Sequence, residues 1–460
     1  MRTGIVFLLG AVAVSAVETT AAERPNILII LADDLGREWL SCYGSEHKTP
    51  HIDALATGGV RFETCYATPL CTPTRHELLT GRYPFRTGWT THHDAPRWGG
   101  QYFDWKREFT FARMLRDAGY ATAIAGKWQV NDLRAQPQAL REHGFGEHCL
   151  WPGFETGNPE SEARYFDPFL QTNGKRGIRK GAFGPDVCRE FLIDFMARHR
   201  TVPFCAYYAS ILVHSPYTKT PHNLQANLKG TQFYAGMVDY LDYEVGCLVK
   251  ALEDLKIRDK TIILFASDNG GPGVTCRANN RDIKGAKGEV TEAGVLVPFI
   301  ANAPGLVLAG KVSDELIDFT DVFPTLAALT GAKLPPDIVL DGRSFASVLT
   351  GRASLETRRD WIFSQLGSKR VIRDKRFKLY WDGRFYDVVA DPAEKFDLSG
   401  SDNRQAITAR EKLEKALRSL PPDATLPFAP RPPEPPKKKS VRDKTFEQPV
   451  GPVRDPGDLR

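Results

Sequence analysis

Two stretches of this chain are apolar without alternation, Ile27-Leu28-Ile29-Ile30-Leu31 and Ile262-Ile263-Leu264-Phe265-Ala266. A strand with one face in water alternates apolar and polar residues. A strand that is apolar at every position must be covered on both faces, as in a parallel sheet with helices on either side. Residues 120–125 and 203–210 read as further strands, and residues 108–118 and 186–198 as helices. Tyr234, Met237, Leu241, Val245, Leu248, Leu252 and Leu255 recur at three- and four-residue steps, which predicts a long amphipathic helix facing a core. Residues 144–185 are rich in Gly, Pro and aromatics with no clear period and read as loop insertions. Beyond about residue 349 the pattern changes to four short strands and one helix over 404–420. The fold class expected is therefore α/β, with a large, mostly parallel sheet sandwiched by helices and a small C-terminal α+β subdomain. A chain of 460 residues is long enough for both.

Open α/β sheets place ligands at the carboxyl ends of their strands. Four predicted strands end in polar residues of different kinds: Asp33 and Asp34, Lys127, His214, and Asp268 with Asn269. Taken singly, each has an ordinary reading. Asp-Asp is a solvated turn, Asp-Asn-Gly is a turn signal, and a lone histidine after a strand is structural. Their convergence at one sheet edge is what gives them weight. Asp33, Asp34, Asp268 and Asn269 offer only oxygen ligands, which suits a hard cation, calcium or else magnesium. No histidine set of the kind zinc prefers accompanies them.

Cys71-Thr72-Pro73-Thr74-Arg75, continuing to Leu79-Thr80-Gly81-Arg82, predicts a helix with Pro73 in its first turn. Thr72 is the candidate N-cap, Leu78 and Leu79 the apolar face, and Gly81 the stop. Cys71 would then lie among free N–H groups that favour an anion; the bland alternative is a loop thiol before an ordinary helix. The pattern Cys-x-Pro-x-Arg followed by Leu-Thr-Gly-Arg resembles the signature of the type I sulfatases, in the alkaline phosphatase superfamily. Gly126-Lys127-Trp128, His214-x-Pro216 and the lysine loop from Lys284 to Gly294 resemble further landmarks of that family, in the same order.

The resemblance implies that a separate formylglycine-generating enzyme converts Cys71 to formylglycine. It implies one Ca²⁺ held by Asp33, Asp34, Asp268, Asn269 and the modified Cys71. It further implies that Arg75, Lys127 and Lys287 neutralise sulfuryl oxygens, that Asp268 helps to remove a proton from the nucleophile, and that His214 is the general acid. The chain departs from the family pattern at Thr74, where serine is usual, at Ala293, where glycine is common, and at Gln129, where histidine is usual. An amide can hydrogen-bond but cannot exchange a proton as an imidazole does. The function expected is a sulfuric ester hydrolase acting on a sulfated small molecule or carbohydrate. The rivals are a formylglycine-dependent phosphonate or phosphate ester hydrolase and a sulfated-glycan-binding protein without turnover. Trp89, His92, His93, Trp98, Tyr102 and Trp105 form an aromatic-rich segment suited either to stacking on sugars or to ordinary packing.

The ends of the chain carry their own signals. Arg2, an apolar run from Ile5 to Val17 and a cut after Ala22 describe a secretory leader over residues 1–22, the alternative being an uncleaved anchor. The run is short of the roughly 20 residues needed to span a bilayer, and no later stretch is apolar enough. Export to the periplasm or outside the cell is expected. A net charge of +5 is too diffuse for a nucleic-acid-binding face. Eight cysteines occur without a Cys-x-x-Cys spacing, and Cys205 and Cys247 fall on apolar faces. The expected organisation is a catalytic domain over 23–349, an antiparallel-sheet subdomain over 350–420 and a tail over 421–460. Eleven prolines in the last forty residues, with Lys437-Lys438-Lys439 among them, predict that this tail is disordered or loosely draped.

Overall fold

The computed structural model describes residues 24–99, 102–352 and 359–425, together with the backbone of residues 446–447. The expected leader and most of the expected tail lie outside the described residues. A ten-stranded sheet runs, in spatial order, Lys311–Asp318, Val60–Tyr66, Phe299–Asn302, Thr261–Ser267, Asn26–Ala32, Phe204–Ala209, Ala121–Lys127, Glu147–Trp151, Phe169–Thr172 and Lys175–Ile178. Phe299–Asn302 and Phe169–Thr172 run against the rest.

Continuous apolarity has the consequence expected of it. In the Asn26–Ala32 strand, Ile27, Ile29 and Leu31 join one core cluster, and Leu28, Ile30 and Ala32 join the other. The first core is closed by the helices Cys71–Thr80, Phe111–Asp117 and Val322–Thr330. The second is closed by Pro50–Thr57, Gly184–Arg198 and the long helix Gln232–Asp254. Every residue of Thr261–Ser267 is buried.

Three expectations are corrected. Residues 144–185 are not simply loop insertions, because Glu147–Trp151, Phe169–Thr172 and Lys175–Ile178 extend the main sheet by three short strands. The helix Cys71–Thr80 begins at Cys71 itself and is buried at all ten positions rather than on one apolar face. Thr72 is not its N-cap: that position is Leu70, without a side-chain cap bond, and the Thr72 hydroxyl is engaged elsewhere. Gly81 ends the helix in the left-handed region, at φ 66°.

The C-terminal strands Ile362–Leu366, Lys369–Arg373, Phe377–Tyr380 and Phe385–Asp387 form an antiparallel sheet. One face carries the helix Arg404–Ser419 through Ala406 and Leu413. The other face packs Val371, Tyr380 and Tyr386 against Tyr66, Val290 and Val295. Lys378, wholly buried, bridges Glu292 at 3.2 Å and Glu394 at 3.0 Å, so this sheet braces the end of the lysine loop. Past the Arg404–Ser419 helix, Ala424 N–H donates to the Phe85 carbonyl at 2.7 Å, and the backbone of Phe446–Glu447 pairs with Tyr217–Thr218. All eight cysteines are free thiols; Cys205 is buried and Cys247 partly so.

Candidate active site

The strand ends are tied together by backbone before any side chain is considered. Ser210 N–H donates to the Leu31 carbonyl at 2.9 Å, Asp33 N–H to Leu212 at 2.8 Å and Asp268 N–H to Ala32 at 3.0 Å. The lysine loop joins them where Lys287 N–H donates to the Gly271 carbonyl at 2.9 Å. Gly126 lets the strand carrying Lys127 come close to its neighbour: its φ is 107°, and a Cβ there would stand 1.9 Å from the Ala209 carbonyl oxygen.

This scaffold brings the nine predicted catalytic and metal-site residues into one cluster, buried except for the half-buried His214 and Lys287 at its rim. One ligand atom each from Asp33, Cys71 and Asp268 lies within 4.8 Å of the others, and the same holds for Asp33, Asp34 and His214. Lys127 Nζ donates to Asp33 Oδ2 at 2.6 Å. Lys287 Nζ reaches both oxygens of Asp34, at 2.6 and 2.7 Å. Arg75 forks onto Asp268 Oδ2 with Nη2 at 2.8 Å and Nε at 3.2 Å. Asn269 Nδ2 donates to Asp34 Oδ1 at 2.9 Å. His214 Nδ1 donates to the Ser215 carbonyl at 2.6 Å, leaving Nε2 3.8 Å from Asp34 Oδ2.

The electrostatics follow from burial set against these partners. Burial alone would push Asp33 up, but Lys127, Arg75 and Lys287 together hold it well below the usual carboxylate range. Burial, then the charge of Asp33, pushes Asp268 well above that range. Burial, then Lys287, holds His214 down to about 3 against the opposing pull of Asp34 and Asp33, so its ring is neutral at pH 7. Asp33 Oδ1 and Asn269 Oδ1 are buried without a hydrogen-bond donor. An unmet buried acceptor costs about 1–3 kcal/mol, and hard oxygens in this setting are what a hard cation would satisfy. The donor set therefore fits such an ion.

A family model described as Sulfatase matches residues 25–332. The chain belongs to the sulfatase family. It is 31% identical to mouse steryl-sulfatase over 72% of this chain and 66% of that protein. It is 32% identical to bovine arylsulfatase A over 81% of this chain and 78% of that protein. Among solved structures it is similar to Ps i-CgsB, which has also been solved in complex with k-i-k-neocarrahexaose, at 28% identity and a TM-score of 0.74 over 86% of this chain and 93% of that one. The family is one of enzymes, and this chain is a sulfatase-class hydrolase. No helix among the described residues of this sulfatase is long and apolar enough to cross a membrane.

Over the cluster opens a cleft of about 340 Å³ lined by His92, Asp94, Arg97, Gln129, Trp151, Phe154, Glu162, Arg164, His214 and Ser215. Of the aromatic-rich segment, His92 reaches this cleft, whereas Trp89 stacks on His76 in the core at 3.8 Å and Trp105 packs on the same core. The rings that do line the cleft, Trp151 and Phe154, come from the stretch that reads as loop in the sequence. Arg164 lies over the Trp151 ring at 4.5 Å, and Arg97 over Phe154 at 5.4 Å. Gln129 donates from Nε2 to Asp94 Oδ2 at 3.3 Å.

Glu38 carries no sequence signal, yet it sits against the turns of this sulfatase that follow Asp34 and Asn269. Its carboxyl occupies the space that a Cβ on Gly36 would need, and it lies 3.0 Å from where one on Gly271 would stand. Burial pushes it up to about 7, and its Oε1 has no partner. The folded chain thus binds this proton more tightly than the unfolded chain does. The resulting stability is present in acid and is lost as pH rises through about 7. Glu38→Gln keeps the shape without the ionisation. It is expected to be about 2–3 kcal/mol more stable than wild type at pH ~8.5 and equal to it at pH ~4, as read by urea unfolding at the two pH values.

Proposed function

We propose that this sulfatase cleaves sulfate monoesters with a formylglycine made from Cys71 and one bound Ca²⁺, and that its substrate is a sulfated carbohydrate. The observation that carries this reading is the packing of Cys71, Asp33 and Asp268 within 4.8 Å of one another, with Arg75, Lys127 and Lys287 bonded to the carboxylates around them. When present, the formylglycine supplies a hydrated aldehyde as nucleophile and the cation supplies positive charge against the sulfuryl oxygens. Asp33, Asp34, Asp268 and Asn269 would hold the ion beside residue 71.

Lys127 and Lys287 fix their carboxylates and present fixed charge to an anionic ester at the floor of the cleft, and preorganised electrostatic stabilisation of this kind usually lowers the barrier more than any other single effect. Arg75 orients Asp268, which receives the proton of the attacking hydroxyl. His214 is held through Nδ1, so Nε2 is the atom that delivers a proton to the leaving oxygen once the negative ester has raised its affinity for one. Trp151 and Phe154, with Arg97 and Arg164 over them, suit a sugar ring bearing anionic groups. The sugar complex of Ps i-CgsB supports the same substrate class. Export through a cleaved leader and maturation by a formylglycine-generating enzyme complete the proposal.

The test uses protein produced with the converting enzyme. Mass spectrometry of the peptide containing residue 71 is expected to show formylglycine. Aryl sulfate is expected to turn over faster than aryl phosphonate or aryl phosphate, and chelation to stop turnover until Ca²⁺ is restored. Faster cleavage of the phosphonate would transfer the site to the rival hydrolase. An intact thiol, with sulfated glycan bound but not cleaved, would make it a binding protein.

A further inference from the structure

The loop between the short helices Pro84–Thr87 and Ala95–Trp98 places a second imidazole beside residue 71. His92 Nδ1 lies 2.7 Å from Thr72 Oγ1 and 3.9 Å from Cys71 Sγ. The Thr72 hydroxyl is also 3.3 Å from the His93 carbonyl. A hydroxyl has one hydrogen and a carbonyl can only accept, so both bonds form together only if Nδ1 carries the hydrogen. The ring plane is set by Trp98, edge-on at 5.4 Å and 86°. We infer that His92 is a further catalytic residue, its one Nδ1 hydrogen shared between Thr72 Oγ1 and the side-chain heteroatom of residue 71. The inference rests on the reading of residue 71 as the reacting group.

The remaining geometry gives the donor its value. Gln129, across the cleft, directs one of its two Nε2 hydrogens to Asp94. His92 is pinned by Thr72 on the helix that carries Cys71, so the two move as one unit. A fixed donor on the atom where charge develops needs no rearrangement during reaction, and this is the condition under which single donors matter most. Thr72 acts through His92 and is a positioning residue.

The experiment compares His92→Ala and His92→Asn with wild type, each produced with the converting enzyme. Conversion of residue 71 is read by mass spectrometry, kcat on an aryl sulfate, and affinity for inorganic sulfate by calorimetry. Alanine is expected to lower kcat about 10²-fold with conversion and sulfate affinity unchanged. Asparagine places an amide N–H where Nδ1–H stands and is expected to recover most of that loss. Wild-type kcat in the alanine variant overturns the inference, as does an asparagine variant as slow as alanine. Loss of conversion or of sulfate affinity in step with kcat would assign His92 to structure instead and overturns it too. A wild-type protein without turnover overturns the reading of residue 71 and the inference together, whereas an active wild type with an equally active alanine variant removes His92 alone.

Discussion

Cys71→Ala is expected to abolish sulfate-ester turnover, with a loss on the order of 10⁶ in kcat, comparable to removing a nucleophile on which the whole reaction depends. Nothing else in the cluster can replace it. Asp33, Asp34 and Asp268 are already committed to Lys127, Lys287 and Arg75, and a carboxylate bonded in this way is a poor nucleophile towards an anionic ester. The fold is expected to be almost indifferent to the change. Cys71 is the first residue of its helix, is 2% exposed and contributes one sulfur to the packing, so its loss costs ~1 kcal/mol. Thermal unfolding and kcat measured on the same preparation separate the two effects. Measurable turnover in the alanine variant, above a mock purification, would take the chemistry away from residue 71.

The contrast between what the sequence discloses and what it hides is physical. Thr261–Ser267 is legible to the residue because a doubly buried strand leaves no polar position inside it. Lys175–Ile178 is hidden for the opposite reason: it is an edge strand of four residues, exposed or half-exposed throughout, so burial imposes no period on it. Thr72 is misread as a cap because the local pattern is a good one, but His92 and the His93 carbonyl compete for its hydroxyl from 20 and 21 residues away. In the same way, the site residues at strand ends are legible because a sheet fixes where strands end. His92, Asp94, Phe154 and Arg164 reach the cleft from loops, whose paths depend on contacts that no local pattern encodes. Glu38 is the extreme case, a carboxyl whose only notable property, its burial, exists in the folded chain alone.

Lys127→Ala is expected to damage both stability and rate, and the two losses can be separated. The lysine is 2% exposed and Asp33 is fully buried, with Nζ and Oδ2 2.6 Å apart. Removing one partner of such a pair strands the other charge, which costs about 3–5 kcal/mol. Arg75 Nη2, at 3.7 Å from Asp33 Oδ2, is too far to form a replacement hydrogen bond without leaving Asp268. The rate is expected to fall by on the order of 10²–10³ because a preorganised positive charge beside the sulfuryl group is gone. A double variant, Lys127→Met with Asp33→Asn, removes both charges and keeps the volume, so stability measured by urea unfolding in the presence of chelator should return towards wild type. Turnover should not return with it. If the double variant regained activity as well, the lysine would serve only to neutralise Asp33, and its assignment to the sulfuryl oxygens would be wrong.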